Sequence, residues 1–438
     1  MMTLKLRNSE KLIILGLTLL AFWLRVYRLD FQSYWIDEAW TVHFANLPLV
    51  DLWRLLRTEE IHPPFYFPSI NIWRQILNDS EFALRYYSLV FSVLAIPLIY
   101  RLGKDLGDGR LGLIAALLMT VAPFQIWHAQ EARMYAVLTA ASTLSMWGFV
   151  NFAQRGGWRW WLVYLLGTTW TITTHYHGFV VMGSQGLFLL LTWRRYWRSY
   201  PVWAGTLALI FLLYAPWLVQ SGAFLRNYIG WLEQPALLTT YVRSATAFSL
   251  GELVPLPQAY LMTLIFVLTY GLGLIYASQR HWGVWRGSEM LAFILSYTLA
   301  PNVAAWLFGE LRQTSVYLER YLIPVQVGYL LAIAIGVLAL FDGLPAMLRW
   351  IAEKIERRRG VRPTGLTTVK ISTRIPALVA VVLLLALVSI NIWVLRRHYF
   401  DRNFAKPDWR AVIRTIENHS LPGDAVILTG DGGEKLFD

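Results

Sequence analysis

The chain has 438 residues, of which 56% are apolar and only 15% charged, and it carries a net charge of +12. A soluble domain has about a quarter charged residues, so that class is excluded. Eleven stretches contain no charged side chain at all: 12–24, 86–99, 111–127, 136–152, 160–174, 179–193, 202–219, 259–278, 290–308, 321–340 and 375–395. They total 189 residues, where even spreading would have placed about 28 ionised groups. A spanning helix needs about 20 mainly apolar residues, so the shorter stretches borrow Trp, Tyr and terminal Arg from their flanks. The expectation is an all-α polytopic membrane protein with a bundle of about eleven transmembrane helices. The alternating segments of a membrane barrel are absent.

At the start, Lys5, Arg7 and Lys11 precede the apolar run 12–23, as in a signal sequence. No small-residue cleavage site follows and Arg25 closes the run, so it reads as a retained first helix. With the N-terminus in the cytoplasm, the six inside segments hold 21 Lys and Arg, the five outside loops hold nine, and seven follow residue 395. That bias places the N-terminus inside and the C-terminal end outside an inner or plasma membrane. The charge is therefore topology, plus attraction of Arg357, Arg358 and Arg359 to anionic lipid. No soluble domain carries it, which argues against a nucleic-acid partner. Cysteine is absent, so there is no disulfide and no thiolate metal site.

Two outside segments are long, 28–81 and 220–258, and long loops in compact proteins usually serve function. In the first, Leu47, Val50, Leu52, Trp53, Leu55 and Leu56 have nearly helical spacing with charges between them, which predicts a helix lying on the membrane surface. Pro63 and Pro64 can open a second helix, 65–77. The second holds Trp231, Tyr241, Arg243 and Glu252, which could line an acceptor groove. The inside segment 341–374 begins with an amphipathic run, 347–358, and reads as a solvated face on anionic lipid. After the last span, Trp409, Val412, Ile413 and Ile416 form a helical stripe, and 425–429 reads as a strand. We expect a transmembrane domain over 1–395 and, over 396–438, the opening of a truncated extracytoplasmic domain.

Five constellations could carry chemistry. Trp35–Trp40 places Asp37 and Glu38 among aromatics on the outer face, where a raised pKa would suit a general base. Equally, Asp37 could cap a surface helix while Glu38 pairs with an Arg. His62 stands before Pro63 and Pro64 in a fixed direction, useful toward a phosphate or a metal, though such a triplet also simply breaks helices. His128, Glu131 and Tyr135 fall one helical turn apart, so a helix would align them, with Arg133 beside them. That group serves either a substrate or a tie between two helices. His175 and His177 would share one metal only on an extended backbone, and otherwise rest at headgroup level. Arg320, ahead of Tyr321, could clamp a phosphate with its planar fork or snorkel to the surface. All five lie on the outer face at helix ends or in the first loop, which favours one convergent polar site.

These residues resemble a known family. The runs Trp35–Trp40 and His62–Tyr66, then Ser80, Glu81, Leu84 and Arg85, then Gln130–Tyr135, Thr174–Gly178, and later Arg320, Tyr321 and Pro324, are similar in order and spacing to the protein O-mannosyltransferase-like membrane glycosyltransferases, family 39, and their bacterial relatives. The resemblance implies the GT-C fold, a polyprenyl-phosphate-linked sugar as donor, and inverting transfer of a hexosyl or pentosyl group outside the cytoplasm. The acceptor would be a lipid, polysaccharide or protein. It implies Asp37 as the catalytic base and Glu38 as a second acid orienting the acceptor or Asp37. The leaving phosphate would be held by Arg320 first, with His62, Arg133 and His175 behind it, supported by Tyr321, Glu131, Tyr135 and His128. No cofactor is required, although the two carboxylates and His175 offer ligands to a divalent metal. In the aminoarabinose-transferring relatives a Lys occupies the position of His62, so phosphate binding there would be weaker or pH-sensitive. The alternative class is a transporter or lipid flippase, against which stand the charge-free spans and the lack of a visible repeat.

Overall fold

The structure is a computed structural model that describes residues 2–58, 62–228, 233–252, 254–343, 374–421 and 424. Its helices are, in order, α1 (Met2–Val26), α2 (Ile36–Asn46), α3 (Leu49–Thr58), α4 (Tyr66–Leu77), α5 (Glu81–Leu106), α6 (Gly109–Val121), α7 (Pro123–Ala129), α8 (Tyr135–Arg155), α9 (Trp158–Thr174) and α10 (Gly178–Leu191). Then follow α11 (Trp193–Tyr196), α12 (Tyr200–Tyr228), α13 (Leu237–Leu250), α14 (Leu256–Gln279), α15 (Gly287–Thr298), α16 (Ala300–Arg312), α17 (Ile323–Leu338), α18 (Arg374–Phe400) and α19 (Trp409–His419). Among the described residues there is no strand beyond one bridge, Trp282 to Trp285. Each of the eleven charge-free stretches falls on helix. Among the described residues six helices are long and apolar enough to cross a membrane, or eight if two bent pairs each count as one span, fewer than the eleven expected. The chain is a polytopic all-α membrane protein.

Helix α17 is apolar but for Gln326 and the Tyr329 hydroxyl, and every one of its residues is buried, so it forms the axis of the bundle. Its neighbour α14 approaches it at two glycines: a Cβ on Gly273 would strike the carbonyl oxygen of Ala332, and one on Gly336 that of Thr269. Small residues let membrane helices meet at backbone distance, where dispersion replaces the missing hydrophobic drive. Helices α12, α14 and α18 leave most of their apolar surface outward, as lipid-facing spans do.

The predicted surface helix of the first loop is α3, which buries Leu52 and Leu56 and leaves Val50 exposed. The second predicted helix is α4, sewn to the end of α2: Asn71 Nδ2 donates to the carbonyls of Ala45 and Leu47 at 2.9 and 2.8 Å, and Arg74 Nε donates to Ala45 at 2.9 Å. These donors satisfy carbonyls that a helix end leaves open. These bonds fasten α4 to the end of α2.

The stretch 111–127 is not one straight helix but α6 and α7, bent by 58°. Pro123 has no N–H for the carbonyl of Met119, and the guanidinium of Arg25 supplies donors instead. Arg25 is fully buried and donates to Met119 and Thr120 carbonyls at 3.2 and 3.1 Å, and to Ser92 Oγ at 2.7 Å. Helix α18 returns to the same end as the C-terminus of α1, where the Tyr399 hydroxyl donates to the carbonyl of Leu24 and His398 Nε2 lies 2.8 Å from Gln130 Oε1. The stripe at Trp409–Ile416 forms α19, none of whose residues is buried. The segments 347–358 and 425–429 and Trp231 lie outside the described residues.

Candidate active site

Asp37 and Glu38 occupy the first turn of α2, where free backbone N–H groups favour carboxylates. Successive helical residues point about 100° apart, so one carboxylate faces inward and the other the opening. Glu38 is the inner one, fully buried. Arg85 grips it with a two-pronged fork, Nε to Oε1 at 2.8 Å and Nη2 to Oε2 at 2.7 Å, and the N–H of Ala132 donates to Oε1 at 2.8 Å. Arg85 also donates to the carbonyls of Leu29, Gln32 and Ser33. Burial pushes the Glu38 carboxyl upward, but Lys406 and Arg85 outweigh it and hold it below the usual range. This ion pair is one of the two options its sequence context left open, and it leaves Glu38 no oxygen for an acceptor.

Asp37 is the outer one, its side chain 30% exposed, with Oδ2 3.7 Å from Arg320 Nη2. Its backbone carbonyl accepts from Arg133 Nη1 at 3.0 Å. Arg320 sits in a short 3-10 turn, Glu319–Leu322, just ahead of α17. Its guanidinium carbon is 5.6 Å from the ring of Trp35, 6.0 Å from that of Tyr135 and 5.9 Å from that of Tyr321. Such ring faces hold a cation without neutralising it. Arg320 Nε has no hydrogen-bond partner among the described residues.

The expected helical alignment of His128, Glu131 and Tyr135 is replaced by a turn between α7 and α8. Ala132 spends its N–H on Glu38, not on a helical carbonyl, and the helix stops. The three side chains meet nonetheless: His128 Nδ1 lies 2.9 Å from Glu131 Oε2, and its ring is 5.0 Å from that of Tyr135. Burial raises the Glu131 carboxyl, but Lys406 and His128 prevail and hold it far below the usual range.

His175 and His177 lie where α9 passes to α10. The His177 N–H donates to His175 Nδ1 at 3.1 Å, and both rings lie near Tyr321, at 5.1 and 5.0 Å. His62 is close by, its ring 5.8 Å from that of His175. Burial lowers His175 well below the ordinary value, helped by His177, and lowers His177 to about 4. Both are therefore neutral at pH 7 and act as hydrogen-bonding groups. A depressed histidine gives stability above its unfolded pKa of about 6.5 that is lost as pH falls toward the folded value, because the unfolded chain takes the proton first. The melting temperature should fall between pH 7 and pH 4, and His177→Phe should remove ~2 kcal/mol of the stability lost over that interval, measured by thermal unfolding in detergent.

All ten residues expected from the sequence thus gather at one end of the bundle. Lys406 was not among them, although it is central: its Nζ lies 2.9 Å from Glu131 Oε1 and 3.6 Å from Glu38 Oε2. The available signal was a Lys held before Pro407, the same stiff arrangement as His62 before Pro63. Arg243 and Glu319, one from each flank, pair at the margin of the site. Among the described residues no three His, Asp or Glu side chains converge as metal ligands; the Glu38 oxygens accept from Arg85, and Asp37 faces Arg320.

Beside the polar cluster, α10 and α16 enclose an apolar groove of about 920 Å³, lined by residues such as Phe179, Leu187, Val303 and Phe308 and bordered by His177 and Arg312. His177 is the link, in contact with Tyr321 next to Arg320.

Residues 61–219 match the family model described as dolichyl-phosphate-mannose-protein mannosyltransferase. A search of curated proteins gives no match. Among solved structures, ArnT from Cupriavidus metallidurans bound to undecaprenyl phosphate is similar over 98% of this chain and 84% of its own length, with a TM-score of 0.58 at 12% identity. The oligosaccharyltransferase of Archaeoglobus fulgidus in its apo form is similar over 94% of this chain, with a TM-score of 0.58 at 14% identity. The chain has the GT-C fold. It spans 58% of the length of that archaeal protein. Within the GT-C fold here, the matched segment contributes His62, His128, Glu131, Arg133, Tyr135 and His175, whereas Asp37 and Glu38 enter from before it and Arg320, Tyr321 and Lys406 from after it.

Proposed function

We propose that this GT-C chain is an inverting glycosyltransferase that moves a sugar from a polyprenyl-phosphate donor to an acceptor hydroxyl on the extracytoplasmic face. The observation that carries this reading is the partly open Asp37 carboxylate set 3.7 Å from the Arg320 guanidinium, beside an apolar groove of about 920 Å³. The printed ligands of two structural neighbours, undecaprenyl phosphate and dolichol-phosphate, support a lipid-phosphate donor. The distribution of Lys and Arg supports an extracytoplasmic site in an inner or plasma membrane, with the N-terminus cytoplasmic.

In this reading the prenyl chain lies in the groove between α10 and α16. The phosphate meets Arg320, with His62, neutral His175 and cationic Arg133 behind it. Asp37 takes the proton from the acceptor hydroxyl, whose oxygen attacks the anomeric carbon from the side opposite the phosphate. The bond from that carbon to the phosphate oxygen breaks, and the electron pair leaves on the phosphate. That group is already a stable anion, so fixed cations and dipoles suffice and no strong general acid is needed. Glu38, held by Arg85, positions Asp37 and takes no proton. The aromatic walls, Trp35, Tyr135 and Tyr321, keep Arg320 poorly hydrated, which strengthens its hold on an anion.

The test is release of polyprenyl phosphate from a panel of polyprenyl-phosphate hexoses and pentoses by purified protein in detergent, beside Asp37→Asn. Lipid, polysaccharide and protein acceptors are supplied in turn. Release that depends on the donor and is lost in the variant supports the reading. No release from any donor, with folded protein and an acceptor-rich membrane extract, overturns it in favour of a transporter. Arg320→Ala should lower kcat/KM for the donor by about 10²-fold, and Arg320→Lys should restore only part of it, because an ammonium lacks the planar fork.

A further inference from the structure

Lys406 reaches the site from the segment between α18 and α19. Its side chain is only 12% exposed, with Nζ 5.2 Å from the ring of Trp35 and 5.6 Å from that of Trp127. The backbone around it is fastened to the first loop at several points. The Lys406 N–H donates to Gln32 Oε1 at 3.2 Å, Ser33 Oγ donates to the carbonyl of Pro407 at 2.9 Å, and the Trp409 N–H donates to Ser33 Oγ at 3.0 Å. Arg410 donates to the carbonyl of Phe31 at 2.6 Å and pairs with Glu81 at 3.2 Å.

This fastening delivers one cation between two buried carboxylates, Glu38 and Glu131. Arg85 is in ion-pair range of Glu38 only, whereas Lys406 is in range of both. Among the described residues the remaining partners of Glu131 are Trp127, whose Nε1 donates to it at 3.0 Å, and His128. Glu131 opens the turn whose next two residues fix the acidic pair: Ala132 donates to the Glu38 carboxylate and Arg133 to the Asp37 carbonyl. The orientation of Asp37 is therefore set through a circuit from Lys406 to Glu131, through the turn, to the start of α2.

We propose that Lys406 is a positioning residue of the Asp37 site: it keeps Glu38 and Glu131 ionised side by side and thereby locks the turn at 130–133 against α2. The kinetic part of the proposal rests on the transferase reading above; the structural part does not. Without the lysine, Arg85 alone faces two neighbouring carboxylates in a dry site, so one of them takes a proton. Glu131 is the candidate, because Glu38 keeps Arg85. The other titratable or charged groups that act on it are His128, Glu38, Glu252, Arg320 and His398.

The experiment compares Lys406→Met, Lys406→Arg, Glu131→Gln and the double variant Lys406→Met/Glu131→Gln in the full chain. In Lys406→Met, kcat at pH 7 should fall about tenfold, since small misplacements of a base are costly, while donor KM moves less than twofold because Arg320 is untouched. Its acid limb should move up by about one pH unit, activity being lost as pH falls through the raised Glu131 pKa. Lys406→Arg should restore the profile. The double variant should melt above Lys406→Met alone, a non-additivity that reports the direct coupling. An unchanged pH profile, or additive melting temperatures, overturns the proposal. If Lys406→Met does not fold, recovery of folded protein in the double variant supports the proposal and its absence overturns it. If the wild-type chain releases no lipid phosphate from any donor, the transferase reading fails and the melting cycle alone decides the role of Lys406.

Discussion

Asp37→Asn is expected to yield a folded, membrane-inserted protein whose rate of lipid-phosphate release falls by about 10³-fold, within the range assigned to a general base. The substitution keeps size and hydrogen-bonding capacity at a position whose backbone is already held by Arg133, so the fold has little reason to respond. What it removes is an acceptor for the proton of the attacking hydroxyl. It also removes the charge 3.7 Å from Arg320, which frees that guanidinium for the donor phosphate. Donor KM should therefore hold or fall while kcat drops, the pattern of a lost transition-state role in place of lost binding. Single-turnover release beside equilibrium donor binding measures both. An unchanged rate would remove Asp37 as the base.

Arg85→Met is expected to act on the fold first. It strips the two-pronged partner from a fully buried carboxylate and the donors from three loop carbonyls. Breaking one side of a buried ion pair costs about 3–5 kcal/mol, because the other charge stays behind. Lys406, 3.6 Å from Glu38, should keep the loss nearer the lower figure. The yield of monodisperse protein in detergent and its melting temperature give the readout. Pairing the change with Glu38→Gln should recover part of the loss, since the orphaned charge is then gone. A melting temperature unaffected by Arg85→Met would show that the first loop does not depend on this pair.

The helices were legible because a charge in hydrocarbon is costly, so the eleven charge-free stretches fall on helix, although among the described residues six to eight are long and apolar enough to span. Composition does not show bends, and the stretch 111–127 hides one: only the loss of the Pro123 N–H, made good by Arg25 from another helix, explains how it turns. The site was legible for a related reason. Polar side chains at helix ends, such as Asp37, His175 and Arg320, stand out against apolar runs. Their pairing was not legible. That Glu38 meets Arg85 and not Arg133, or that Glu131 meets a lysine 275 positions later, follows from packing between helices far apart in sequence. His128, Glu131 and Tyr135 show the limit most clearly: the spacing suggested a helix, yet an N–H diverted to Glu38 made a turn that brought the same three together.

The buried guanidinium of Arg25 bears on how the chain is built. Its partners Ser92, Met119 and Thr120 are translated 67, 94 and 95 residues after it. Until they exist, burying that cation away from the headgroups leaves it without acceptors and is costly. The first helix is therefore held near the headgroups during synthesis and reaches its final depth when the fifth and sixth helices arrive to receive it. Assembly of the end that carries the candidate site is then coupled to the order of translation. The loop bearing Asp37 is tethered directly behind Arg25, so it settles onto its partners after the first helix has been drawn in, and the last piece, Lys406, closes over carboxylates already in place.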